Sequence, residues 1–155
     1  MKKILFAVMA VIALCACSGE REYLKVRGLS MGMSAKAMCD SLQQKGFALD
    51  TNLTDETVYV LNNPAENCRM DIMMHNDTID NILESYTASY NDSTANLWQR
   101  IHDEFTEQYG WANMTHKADL HKEAHYQTKG KGALVLILLN TYSPTMTIRY
   151  SVDPE

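Results

Sequence analysis

The apolar positions of the chain follow two spacings, one typical of helices and one typical of strands. Apolar residues three and four positions apart come after Ser34, a good helix N-cap residue, and stop before Gly46, so they predict a helix over 34–45. These residues are Ala35, Met38, Cys39 and Leu42. A second stripe starts near residue 93 and stops near Gly110, which predicts a second amphipathic helix. Its apolar positions are Leu97, Trp98, Ile101 and Phe105.

Strand-like runs account for most of the remaining sequence. A short alternating run at 24–27 comes before the first helix, and Gly28 ends it. Residues 133–139 are all apolar, and because seven residues are too few to cross a bilayer, they predict a buried central strand. Residues 129–132, with the sequence Lys-Gly-Lys-Gly, have the composition of a hairpin turn. The expected strands after the first helix are 57–61, 68–74, 78–87, 119–128, 132–140 and 145–152.

The two halves of the chain share an order of one helix followed by three strands. Their alignable positions are Met38, Asp40, Leu42 and Gly46-Phe47 in the first half and Ile101, Asp103, Phe105 and Gly110-Trp111 in the second. We therefore expect an α+β fold, a tandem helix-plus-three-strand repeat in which two helices pack on one face of an antiparallel sheet or sheets. The expected single domain is 24–155, with pseudo-repeats at about 24–88 and 93–153.

Composition places the chain among ordinary globular proteins. It has 155 residues, of which 46% are hydrophobic and 21% charged, with seven Gly and three Pro. Without its first sixteen residues it has twelve basic and nineteen acidic residues, a formal charge of −7. No basic cluster is longer than 129–131, so the chain lacks the basic surface of a nucleic-acid-binding protein. We therefore expect no nucleic-acid partner.

The first residues have the pattern of an export signal. Two lysines follow Met1, residues 4–14 are apolar and uncharged, and this stretch is too short to cross a hydrocarbon layer of about 30 Å. Residues 1–16 are therefore expected to be a signal peptide, and residues 17–23 a polar tether.

The end of this segment resembles the lipobox of bacterial lipoproteins, through Leu14, Ala16 and Cys17. The resemblance implies diacylation of the Cys17 thiol, cleavage before it and acylation of the new amine. Each buried acyl methylene contributes about 0.8 kcal/mol, so two or three chains anchor stably. Ser18 follows the cysteine, and a non-acidic residue there implies sorting to the outer membrane. A plain secretory signal is the alternative.

A second resemblance covers most of residues 24–153. The run Gly28-Leu29-Ser30-Met31-Gly32-Met33-Ser34, the exit Lys45-Gly46-Phe47 and the final strand from Tyr150 to Asp153 resemble small uncharacterised lipoproteins of gut anaerobes. More distantly, the chain is similar to beta-lactamase-inhibitor-like proteins and to SmpA/OmlA-type outer-membrane assembly lipoproteins, whose helix also begins after Gly-Met-Ser or Gly-Met-Thr. The resemblance implies a fold used for binding other proteins and supplies no catalytic residue.

One short motif suggests a hydrolase. Gly28-Leu29-Ser30-Met31-Gly32 matches the GxSxG nucleophile elbow, in which Ser30 would be the nucleophile and a downstream histidine such as His121 its base. Only about four residues of strand precede the motif, whereas an α/β hydrolase needs several parallel strands. We therefore expect the glycines to turn the chain into the first helix.

Three histidines near the second half's first long strand are weak metal candidates: His116, His121 and His125. Zinc needs a further ligand, for which Asp119 or Glu123 is available. The neighbouring lysines and the polar continuation of the strand favour a solvated set of histidines instead, so we expect no metal and no cofactor.

Cys39 and Cys68 are the only cysteines after the lipidation site. A pair in an exported chain is a disulfide candidate, and a bridge would contribute about 3 kcal/mol on the chain-entropy estimate. The alternative is two buried free thiols that pack as small hydrophobes. Either way, both are expected at the helix–sheet interface.

These patterns favour a lipid-anchored cell-envelope protein without enzymatic activity, which binds or assembles other proteins. Its expected partners are the membrane, through Cys17, and another envelope protein. Two alternatives stay open, an envelope hydrolase that uses Ser30 or the three histidines, and an inhibitor of another enzyme.

Overall fold

The structure is a computed structural model of the chain and describes residues 22–88, 91–116, 121–139 and 144–152. The predicted signal peptide and Cys17 lie outside the described residues. Neither described helix combines the length and apolarity needed to cross a membrane. The elements are β1 (Lys25–Val26), β2 (Leu29–Ser30), α1 (Ala35–Gln44), β3 (Ala48–Leu49), β4 (Val58–Asn63), β5 (Cys68–His75), β6 (Thr78–Thr87), α2 (Asn91–Tyr109), β7 (Asn113–His116), β8 (His121–Gln127), β9 (Ala133–Leu139) and β10 (Thr145–Ser151).

Eight of these strands form one antiparallel sheet in the order β3-β4-β5-β6-β10-β9-β8-β7. The predicted α+β class with an antiparallel sheet is confirmed. The predicted number of strands after each helix is wrong, because four strands follow each helix rather than three. The additional strands, β3 and β7, have two and four residues and lie at the two edges of the sheet.

The buried side chains of the sheet lie on one face. The strand register places one row of them side by side across six strands: Leu61, Met70, Glu84, Ile148, Leu136 and Ala124. Leu42 of α1 and Trp98 of α2 belong to the same buried cluster, so both helices pack on this face. No described helix packs on the opposite face, which we call the open face.

Local signals explain where α1 begins and ends. The Ser34 side chain accepts a hydrogen bond from the backbone N–H of Ala37 at 3.2 Å, and this N-cap contact satisfies one of the free amides of the first turn. Gly46 has a φ of 93°, which suits glycine and ends the helix. The predicted helix over 34–45 is thus confirmed to within one residue. The second helix begins at Asn91, earlier than predicted.

Two hairpin turns contain residues with positive φ. Lys129 and Gly130 both have positive φ, 55° and 80°, as a tight turn between β8 and β9 requires. This confirms the predicted turn. Arg27 and Gly28 also have positive φ, 52° and 81°, and join β1 to β2 in a separate two-stranded sheet.

Candidate functional site

A buried carboxylate lies at the centre of the sheet, where the two halves meet. Glu84 of β6 is 3% exposed and faces the core. Its Oε1 atom lies 2.7 Å from Nε of Arg27 and accepts a hydrogen bond from the Tyr86 hydroxyl at 2.5 Å. The Tyr150 hydroxyl donates to Oε2 at 3.3 Å. A charge so buried needs both an ion pair and hydrogen bonds, and Glu84 has both.

Arg27 ties this carboxylate to the loop after β4. Its Nη2 atom donates to Glu66 at 2.7 Å and to the Tyr86 hydroxyl at 2.8 Å, and its guanidinium stacks over the ring of Phe47 at 4.9 Å. Burial lowers the pKa of Arg27, but the hydrogen bond to Glu66 and the charge of Glu84 raise it further, so the net pKa is above its ordinary value. The β1–β2 hairpin is therefore fastened to the sheet through Arg27.

Apart from Arg27, the titratable groups that contact Glu84 are held in their neutral forms. Burial, followed by the charge of Glu84, raises the pKa of the Cys68 thiol to about 11. Burial and the same charge raise the pKa values of Tyr86 and Tyr150 above their ordinary value. A nucleophilic cysteine needs a lowered pKa and access to solvent, whereas this thiol is buried and protonated. The arrangement therefore stabilises the fold and is unsuited to nucleophilic catalysis.

The two thiols are both buried in the core, as predicted, and both are free cysteines in the structure. Cys68 lies 3.6 Å from Nη2 of Arg27 and 3.9 Å from Oε1 of Glu84. Burial also raises the pKa of the Cys39 thiol.

Ser30 lies in a hairpin rather than in a nucleophile elbow. It belongs to β2, opposite Lys25, and its hydroxyl accepts a hydrogen bond from the N–H of Gly32 at 3.2 Å. A Cβ atom at Gly32 would lie 2.5 Å from Cδ2 of Tyr23, so glycine is needed there for packing. Gly28 serves the turn between β1 and β2. Packing and turn conformation therefore explain why the motif has its two glycines, without any catalytic role for Ser30.

His121 and His125 meet on the open face through a shared carboxylate. His121 lies two positions before Glu123 on β8 and His125 two positions after it, so all three side chains point to the same face of the sheet. The Nε2 atoms of His121 and His125 lie 2.7 Å and 3.0 Å from Oε1 and Oε2 of Glu123. Hydrogen bonds from His125 and His121 lower the pKa of Glu123.

The third predicted histidine, His116, pairs through its backbone in β7 with Lys122 of β8. Its side chain and all of Asp119 lie outside the described residues. Among the residues that the structure describes, no group of three or more His, Cys, Asp or Glu is arranged to hold a metal ion. In the part of the chain that the structure describes, the side-chain hydrogen bonds of Ser30 involve Gly32, whereas those of His121 and His125 involve Glu123.

The open face combines aliphatic and polar side chains. The register alternation places Leu83, Val135 and Ile137 on this face, half-buried by their neighbours. Polar and charged residues surround them: Asp71, Ser85, Thr147, Arg149, Glu123 and His125. A shallow groove crosses β7, β8 and β9 on this side, with Asn113, His125 and Val135 in its lining.

Two of these residues, Glu84 and Trp111, have a signal in the sequence. Glu84 shares the strand phase of the buried Ile82, so alternation alone marks it as an inward carboxylate. Trp111 is 89% exposed, and its only sequence signal is its position after Gly110 at a helix end.

Comparisons of the chain with protein-family models, with curated proteins and with solved structures find no match.

Proposed function

We propose that the chain is a lipid-anchored protein of the bacterial cell envelope, held in the outer membrane by Cys17, which binds another envelope protein through the open face of its sheet. The observation that carries the binding role is the one-sided packing of the helices. An eight-stranded sheet with both helices on one face leaves Leu83, Val135 and Ile137 without a covering layer of described helices.

The surroundings of these aliphatic residues favour reversible binding. Thr147 and Arg149 of β10 lie next to them, together with the His121–Glu123–His125 group on β8. Polar side chains around an apolar centre keep such a surface compatible with water when the partner is absent. No specific observation favours a hydrolase, because the described contacts of Ser30 are separate from those of His121 and His125. Inhibition of an enzyme would be one form of the same binding role.

The tandem repeat and the distant resemblance to assembly lipoproteins are part of this proposal. The strand order supports the repeat, because it is the same when read from either edge: each half contributes four consecutive strands, and the last strands β6 and β10 pair at the centre. A pseudo-twofold axis between β6 and β10 would relate the halves.

Photocrosslinking in intact cells tests the binding role. A benzoylphenylalanine at position 137 on the open face is expected to form an adduct with a discrete envelope protein. The matched control carries the same group at Gln99, an exposed position of α2. Identical adducts at both positions, or none at position 137 in a folded and exported chain, would contradict binding through the open face.

The anchor has its own test. Wild-type protein is expected in the membrane fraction, and Cys17→Ala in the soluble fraction. Globomycin, which blocks lipoprotein signal cleavage, is expected to increase the mass of the wild-type protein. A wild-type protein that is soluble after cell breakage would rule out the anchor.

A further inference from the structure

The chain enters the fold at one end of the sheet, beside the turn between β8 and β9. Oε1 of Glu22, the first described residue, lies 2.8 Å from Nζ of Lys131. Two residues later, Leu24 packs at Gly132, where a Cβ atom would lie 3.1 Å from Cδ1 of Leu24. The ion pair is exposed and contributes little to stability, but it shows where the tether leaves the domain. We call this the tether end of the sheet.

The tether end carries the most exposed aromatic side chain of the described residues. Asn113 pairs with His125, so the strand direction takes Trp111 to the level of Gln127, the last residue of β8 before the turn. Trp111 is 89% exposed. Its exposed indole lies on the β7 side of the tether.

A second exposed hydrophobic residue lies on the other side of the same end. After Leu49, which pairs with Leu61, the chain continues alongside β4 towards its first residue, Val58. Val58 is in register with Met73, near the end of β5, and therefore lies at the tether end. Leu53, in the loop between β3 and β4, is 51% exposed. Leu53 thus lies at the same end of its neighbouring strands as Trp111, at the opposite edge of the sheet.

We infer that the tether end of the sheet faces the lipid surface and that Trp111 lies in its headgroup layer. This inference rests on the proposed anchor at Cys17. Four residues lie between Cys17 and Glu22, and the five Cα-to-Cα steps of a fully extended chain from one to the other span at most about 18 Å. Because the acyl chains hold Cys17 at the surface, Glu22 and the neighbouring turn stay within that distance of the lipid.

The side chains at the tether end suit this environment. An indole has an apolar body and a polar N–H, which is why tryptophan is enriched at membrane interfaces. Lys129, at the tip of the adjacent turn, is exposed and can approach lipid phosphates. With this orientation, the open face stands roughly perpendicular to the membrane and is accessible to a partner.

Quenching of tryptophan fluorescence by brominated lipids tests the orientation. The full acylated protein is reconstituted into phosphatidylethanolamine and phosphatidylglycerol vesicles with brominated or ordinary acyl chains. We expect the brominated vesicles to quench wild-type emission and to leave Trp111→Phe unquenched, because Trp98, the other tryptophan, is 3% exposed in the core. Within the Trp111→Phe background, Leu53→Trp should restore quenching.

The matched control uses the opposite end of the sheet. Leu139 is 40% exposed at the far end of β9, in register with Thr145. Leu139→Trp in the Trp111→Phe background is expected to stay unquenched. Equal quenching at positions 53 and 139, or no quenching of wild-type protein that floats with the vesicles, would overturn the orientation and leave the anchor intact.

Two further outcomes would contradict the anchor or the orientation. A wild-type protein that fails to float with vesicles refutes the anchor itself. A blue shift of Trp111 emission that depends on protein concentration, and occurs equally with unbrominated lipid, would overturn the inference in favour of a second copy of the chain as the occupant.

Discussion

At the scale of single residues, the main electrostatic feature of the core is the buried carboxylate of Glu84. It is buried where β6 meets β10, and its charge is offset by Arg27 and by the hydroxyls of Tyr86 and Tyr150. Removing one partner of such a group is costly, because the remaining charge stays out of water. The network therefore makes the β1–β2 hairpin, which carries Arg27, part of the stable core.

Arg27→Ala should lower the free energy of unfolding by about 3 kcal/mol, because it leaves Glu84 buried without its counterion. The matched control is Lys36→Ala, which breaks an exposed i,i+4 pair with Asp40 and should cost at most about 0.5 kcal/mol. Urea denaturation of both variants measures the difference. Equal effects would show that the buried network contributes no more than a surface ion pair.

The Cys68 thiol gives a prediction about pH. Its folded pKa of about 11 lies above the unfolded value of about 8.5, so its contribution to stability is complete below the unfolded value and is lost as pH rises towards 11. Cys68→Ala should therefore show a shallower loss of stability between those values. Stability measured in urea at a series of pH values tests this, and an unchanged slope would contradict it.

The same thiol tests whether the disulfide forms. In a Cys39→Ala chain without Cys15 and Cys17, Cys68 should react with iodoacetamide at neutral pH only after denaturation, because burial keeps it protonated and inaccessible. In the chain that retains Cys39, labelling under denaturing conditions should be the same with and without reductant. Labelling that needs reductant would reveal a bridge between the two cysteines.

Part of this network can be predicted from the sequence and part of it cannot. The inward phase of Glu84 follows from strand alternation, and a buried carboxylate requires a cation. The identity of that cation does not follow, because Arg27 is 57 residues away and reaches Glu84 only through the positive-φ turn of β1–β2. Long-range side-chain pairing depends on the tertiary fold, which local patterns do not encode.

At the scale of elements, strands of six residues or more are evident from the pattern, and of the shorter strands only β1 is predicted. The strand predicted over 78–87 is β6 without any difference in its bounds, whereas β2, β3 and β7 have two to four residues and too few alternations for a signal. Short edge strands limit the backbone available for unwanted pairing with other chains. The missed strands β3 and β7 are therefore the edges of the eight-stranded sheet, and the predicted strands form its centre.

The turn before β9 depends on the absence of a side chain at Gly132. Its φ is 133°, and an added Cβ would collide with the backbone carbonyl of Ser151. Gly132→Ala should cost about 3 kcal/mol or more, because the backbone must move where β9 begins and β10 ends. Gly130→Ala, at a φ of 80° with open space around it, should cost about 1 kcal/mol. Thermal denaturation of both variants tests the contrast, and a reversed order would contradict it.

At the scale of the whole molecule, the two halves share one core. The seven-residue pairing of β6 with β10 joins them, and Met70 and Ile148 lie on either side of Glu84 in a continuous row. The one-helix, several-strand order of each half can be predicted from the sequence. How the halves join cannot, because the connection between β6 and α2 gives no information about which strand of the second half pairs with the first.

A shared core predicts that both halves unfold together, and the chain provides separate reporters for each. Both tryptophans, Trp98 and Trp111, lie in the second half, and both core cysteines, Cys39 and Cys68, lie in the first. In the chain from Ser18 onward, urea transitions followed by tryptophan fluorescence and by cysteine accessibility should have the same midpoint and slope. Leu42→Ala in α1 and Leu136→Ala in β9 remove fully buried side chains, and each should shift both probes together by about 3 kcal/mol. If Leu42→Ala moved only the cysteine transition, the halves would be independent units, and the central β6–β10 pairing would be a docking contact between two domains rather than the middle of one.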